Sequence, residues 1–241
     1  MEEPEPAVVR AAMDGDLAAF ERLVRRYQAR VYGLALAIVR DPGMAEDVAR
    51  YSDFQHGCII WSPTTDAVAV RESVRVHAKM LTAPDIPLRS MASSMLEVYL
   101  TAEVGMKLLT IQALNLPALN DLEVGECRQG QTTAEQNELF RHRGSVGEHD
   151  VAVYFVRSTD PPLNGCAAHP AGRPSAVVAQ GASRWTLAHE VGHVLGLVHV
   201  NDNDNDNDRL MTGNGTGNIT NPPPDLVTSE AQTMLNSPLT I

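Results

Sequence analysis

The chain has 241 residues, 44% hydrophobic and 20% charged, a composition that excludes a disordered or fibrous polymer and predicts a packed core. Its formal net charge of -11 argues against a protein built to hold nucleic acid, whose affinity comes from Lys and Arg set against phosphates. No apolar run reaches the roughly 18 residues of a membrane span, and the opening MEEPEP is acidic where a secretory signal is basic and then apolar, so a cytoplasmic location is expected, or an extracellular one if the N-terminus is atypical.

Between Asp16 and Arg40 the apolar residues Leu17, Phe20, Val24, Tyr27, Val31, Leu34 and Ile38 recur in steps of three and four, one face of a helix. Asp14 or Asp16 can cap its start, Asp41-Pro42-Gly43 stops it, and a second short helix begins at Met44. The segment DGDLAAFERLVRRYQARVYGLALAIVRDPGMAEDVAR resembles the opening of region 2 in extracytoplasmic-function sigma factors, a likeness that ends at Arg50. It implies a helical fragment over residues 1–50, read either as a fused hairpin that only packs or as a contact for RNA polymerase. Residues 51–72 are expected to form a linker or a first hairpin. Within them GCIIWSPTTDAVAV resembles the repeat of some actinobacterial wall-associated proteins, present in one copy.

Residues 73–241 predict an α+β domain with α/β character. Val74 to Met80 alternates as a strand. Pro87 opens a helix to Ala102 with Met91, Met95, Val98 and Tyr99 inward. A strand from Val104 to Ile111 is followed by a loop rich in Asn and Leu. A helix then runs from Ala134 to Arg143, with Thr132 and Glu135 as a capping box. Val151 to Val156 is continuously apolar and predicts a central buried strand. After Pro161-Pro162, two shorter strands are expected at Cys166 to His169 and Ala176 to Ala179, and a last helix capped by Thr228 or Ser229 runs through Leu235. Such interleaving predicts a twisted mixed sheet with helices.

The chemistry is concentrated in HEVGHVLGLVH, residues 189 to 199. His189 and His193 are four apart on a helix capped by Ser183, so they project from one face and can reach one ion. Glu190 is offset around the helix, towards a water on that ion rather than the ion itself. Gly196 permits a sharp turn that returns His199 as a third nitrogen ligand, and three protein ligands leave a fourth position open, as a catalytic zinc site requires.

HExxHxxGxxH followed by Arg209-Leu-Met-Thr212 resembles the signature of the metzincin zinc metallopeptidases. The resemblance implies zinc ligands His189, His193 and His199, Glu190 as general base, and Met211 in a turn beneath the metal. It also implies that Gly165, Cys166, Ala167 and Ala168 form an edge strand that pairs with extended substrate, and that the last helix closes the domain. The implied activity is a zinc-dependent endopeptidase, hydrolysing peptide bonds through a water polarised by zinc and deprotonated by Glu190. A catalytically silent zinc-binding scaffold and a transcription-associated protein are the alternatives. Val200 and the lack of a Tyr closely following Met211 depart from the best-known subfamilies.

Other candidates are the acidic run NDNDNDND at 201 to 208, a calcium loop or a solvated one, and Cys58, a latency ligand or a buried thiol. Cys127 and Cys166 either pair or remain free, and His169 belongs to a second metal site, to the cleft, or to neither.

Overall fold

The computed structural model describes residues 6–13, 16, 18, 19, 22, 23, 26, 51–54, 57–62, 66–70, 72–200 and 208–241, with residues 51–69 as backbone alone. The chain divides into two compact units, Met1–Glu72 and Ser73–Ile241. In the first, α1 (Pro6–Met13) is followed by helical positions at 18, 19, 22, 23 and 26. The Asp16 carboxylate accepts from the Ala19 amide at 3.0 Å, satisfying one of the free amides of a helix start. The rest of the helix expected to Arg40, and the one expected from Met44, lie outside the described residues. Three strands follow: β1 (Tyr51–Phe54), β2 (Gly57–Ser62) and β3 (Asp66–Val70). They form an antiparallel sheet in that order, with Tyr51 opposite Ile60 and Cys58 opposite Val70.

The second unit is a mixed α/β fold. Its elements are β4 (Glu72–Met80), α2 (Leu88–Leu100), β5 (Val104–Ala113), β6 (Asp121–Glu123), α3 (Ala134–Leu139), β7 (Val151–Val156), β8 (Ser158–Asp160), β9 (Gly165–Cys166), β10 (Ser175–Ala179), α4 (Thr186–Val194) and α5 (Thr228–Leu235). The main sheet has the order β5-β4-β7-β10-β9; β4, β7 and β10 run parallel and β9 lies antiparallel along β10. Every residue of β7 is buried, which is why its sequence shows no polar alternation. Ala152, Tyr154 and Val156 face a cluster that includes Leu122, Leu139, Phe140 and Cys166. The intervening Val151, Val153 and Phe155 point to the other face. There α4 packs on both β10 and α2. Met91, Met95 and Tyr99 of α2 are fully buried, each contributing on the order of 1.5–3 kcal/mol. The Tyr99 hydroxyl donates to the Ala188 carbonyl at 2.9 Å, bracing α4.

At the foot of β7, Asp150 accepts from Arg75 Nε at 2.6 Å and meets His77 Nε2 at 3.1 Å. Burial pushes the Asp150 carboxyl up, but the His77 hydrogen bond, the Arg75 guanidinium and the Gly147 amide outweigh it and hold it below the usual range.

Several local expectations are corrected. The cap of α3 is Thr133 rather than Thr132, with Gln136 completing the capping box, and the helix ends at Leu139 rather than Arg143. Glu135 is drawn off by the Glu123 amide at 2.7 Å, leaving Gln136 to close the box. The strand expected from Cys166 to His169 is confined to Gly165–Cys166. Its register with β10 would set His169 opposite Pro174, which has no N–H to give. Ser183 does not cap α4, whose N-cap is Trp185; the Ser183 hydroxyl is engaged with Thr216 Oγ1 at 2.7 Å. Neither Thr228 nor Ser229 caps α5, whose N-cap is Val227, its amide donating to the Glu230 carboxylate at 2.9 Å. Cys127 and Cys166 are joined in a disulfide, Cα–Cα 5.7 Å.

Candidate metal centre

The helix α4 exists because Leu187, Ala188, Val191 and Val194 are buried on its inner face, which leaves His189 and His193 one turn apart along one side. Its end is a Schellman motif. The Gly196 amide donates to the His193 carbonyl and the Leu197 amide to the Gly192 carbonyl, both at 3.0 Å, with Gly196 at φ +105°. The reversal serves the site directly, because the Leu197 carbonyl then accepts from His193 Nδ1 at 2.8 Å. His189 Nδ1 is likewise held by the Leu210 carbonyl at 2.7 Å, from the residue before Met211. The Val200 amide donates to the Met211 carbonyl at 3.0 Å, tying the segment that carries His199 to that same turn.

A carbonyl oxygen only accepts, so Nδ1 of His189 and of His193 must carry the proton and Nε2 the lone pair. The three Nε2 atoms converge: 3.1 Å from His189 to His193, 3.2 Å from His189 to His199 and 3.0 Å from His193 to His199. Three nitrogens gathered so closely could hold one cation between them. The edge of a tetrahedral zinc site, with Zn–N near 2.0–2.1 Å, is about 3.3 Å, so the donor set fits zinc in chemistry and in span. Burial pushes the His189 imidazole down to about 3, His193 and His199 adding to the effect against the Leu210 hydrogen bond. Burial lowers His193 too. Both shifts favour the neutral imidazole that ligation requires.

Glu190 lies with the three histidines in one cleft of about 730 Å³. Burial alone pushes its carboxyl up to about 8, with no hydrogen bond or neighbouring charge contributing. Met211 is fully buried against α4, its Sδ 3.0 Å from where a Cβ on Gly192 would stand. Thr186 and Thr216, also in the cleft wall, share a hydroxyl hydrogen bond at 2.8 Å.

Residues 40–77 match the LGFP repeat. The match begins ahead of β1 and ends inside β4, and no comparison shows the expected sigma-factor fragment. No curated protein matches the chain. Similar solved structures include metalloproteinase-II from Bacteroides fragilis, 18% identical with a TM-score of 0.49, covering 68% of this chain and 52% of that one. Archaemetzincin from Methanopyrus kandleri is 18% identical with a TM-score of 0.44, covering 67% and 93%. A zinc-dependent peptidase from Methanocorpusculum labreanum is 12% identical with a TM-score of 0.42, covering 66% and 99%. The chain thus spans about half the length of the Bacteroides fragilis protein.

The remaining sequence candidates separate. Gly165 and Ala167 line the cleft, whereas Cys166 and Ala168 face the core cluster. His169 is outside the cleft lining: its Nδ1 lies 3.0 Å from the Pro170 carbonyl, and among the described residues the histidine cluster does not include it. The Cys58 side chain and the acidic run through residue 207 are outside what the structure describes. Sequence reasoning missed the carbonyls of Leu197 and Leu210, which no side-chain pattern encodes. Gly192 was readable, as a glycine in a helix interior that demands a packing reason.

Proposed function

We propose that residues 73–241 form a zinc-dependent endopeptidase of metzincin type. The observation that carries this reading is the convergence of three Nε2 atoms on one point, two of the rings fixed by backbone carbonyls, in the cleft that holds Glu190. His189, His193 and His199 would hold the ion, and zinc when bound supplies a Lewis acid for a water and for a peptide carbonyl. The Leu210 and Leu197 carbonyls orient two of the rings and keep their Nε2 atoms unprotonated. Glu190 takes a proton on its carboxylate from the attacking water and returns it to the departing amide nitrogen, so the cleaved bond leaves a carboxylic acid and an amine.

The test is peptide-library cleavage by zinc-loaded protein beside Glu190→Ala, with zinc content measured in each. Cleavage that is lost in the variant while zinc remains supports the peptidase. Zinc bound without cleavage by the parent would leave the silent scaffold instead.

We further propose an oxidising working compartment, because the Cys127–Cys166 bond would be reduced in a cytosol. Protein purified from its natural source without reductant, then denatured and alkylated, should take up one alkylating group. Uptake of three would place it in a reducing compartment.

A further inference from the structure

Gly165 stands in β9 opposite Val178, in backbone that does not lie in the left-handed region, so its φ does not call for glycine. What does is the side chain beside it. A Cβ built on Gly165 would fall 2.6 Å from Glu190 Cγ, 2.6 Å from Oε1 and 2.7 Å from Cδ. Such approaches are closer than real Cβ atoms tolerate, and they involve most of the Glu190 side chain. Of the two sides, the strand is the one fixed in place. The strand is held by the Ala179 amide on the Asn164 carbonyl at 2.9 Å and by the disulfide at Cys166, whose side chain points to the opposite face. Glu190 is mid-helix and almost fully buried.

We propose that Gly165 is a positioning residue for Glu190: the missing side chain is the seat on which the carboxylate rests, setting it in the cleft beside the three histidines. Its catalytic consequence rests on the peptidase reading above; the contact itself does not. Alanine at 165 forces Glu190 into another rotamer, and a displacement on the order of 1 Å of a reacting group can lower turnover by about 100-fold. The backbone of β9 is unchanged by the substitution, so substrate pairing along it is retained.

The test is a double-mutant cycle of Gly165→Ala and Glu190→Ala in the metal-free 241-residue chain, with zinc stoichiometry and peptide kinetics on the same four proteins. Gly165→Ala is expected to lower Tm by roughly 3–9 °C in the parent, an overpacking effect, and to lower it little or not at all once Glu190 is alanine. Zinc stoichiometry is expected to stay at one in all four. With Glu190 present, Gly165→Ala should lower kcat by about 100-fold and leave KM within about threefold. An equal Tm loss in both Glu190 backgrounds, or an unchanged kcat in a parent that cleaves, overturns the proposal. Coupling in the cycle without any cleavage by the parent sustains Gly165 as the seat of Glu190 and removes the peptidase.

Discussion

At the residue scale, the geometry of the histidines depends on backbone features as much as on their own spacing. Gly196 sits at φ +105°, a conformation that costs other residues about 1–3 kcal/mol. Gly196→Ala should therefore relax the Schellman turn, release the Leu197 carbonyl from His193 and carry His199 away from its partners. Zinc competition titrations are expected to show at least about tenfold weaker binding, a loss of the size seen when ligand-orienting contacts are removed. Gly181→Ala, where the new Cβ meets nothing within 4 Å, is the control that should leave affinity intact.

Glu190 gives a second prediction, for the metal-free protein. Its folded-state pKa of about 8 lies above its ordinary value of 4.5. The stability it contributes is therefore fully present below 4.5 and is lost as pH rises through about 8. Thermal melts with a chelator should show Tm falling across that window in the parent, and Glu190→Gln should remove that part of the slope. An identical slope in both would mean that another group sets it. The pairing of His189 with His193 was readable because a helix places i and i+4 on one side, a rule that needs only the sequence. The carbonyls that orient two of the rings were not, since that of Leu197 depends on the geometry of the turn at Gly196 and that of Leu210 on where the chain returns after residue 208.

At the element scale, the disulfide joins the segment after β6 to β9, the strand beneath Glu190. Closing a loop whose ends are 39 residues apart stabilises the fold by about 4 kcal/mol in the chain-entropy account. Cys127→Ala with Cys166→Ala should lower Tm by roughly 8–16 °C, read by calorimetry in parallel with the oxidised parent. An unchanged Tm would mean that the pairing contributes nothing to stability. The elements most legible in the sequence were those governed by one dominant pattern: β7 from its unbroken apolar run, and α2 from its spaced methionines. The elements misread were those decided by competition. Thr132 and Thr133 each precede an acid or amide by three residues, and the choice between them was made by the distant Glu123 amide. The parallel pair β6 and β8 has three residues in each strand, and its register of Asp121 with Ser158 comes from the approach of two loops rather than from periodicity.

At the scale of the whole molecule, the second unit carries the structural marks of an autonomous domain. Its first and last residues close on each other, the Ser73 amide donating to the Ile241 carbonyl at 2.9 Å and the Ile241 amide to the Ser73 carbonyl at 3.3 Å, with Val74 bridged to Thr240. The core around β7 and the elements packed on α4 come from within Ser73–Ile241. A domain of this length buries enough surface to fold alone. Residues 72–241, begun at Glu72 to keep β4 whole, should therefore melt in one cooperative transition and bind one zinc ion. If the peptidase reading holds, they should also cleave the peptides that the full chain cleaves, with kcat/KM within about threefold. Calorimetry and metal analysis of the fragment check the first two expectations. A fragment that is folded and zinc-loaded but inert, beside an active full chain, would assign the first 71 residues a part in catalysis. A broad, non-cooperative melt would instead make those residues part of the fold, because the contacts within Ser73–Ile241 would then be insufficient to hold α4 and the turn at Met211 in place.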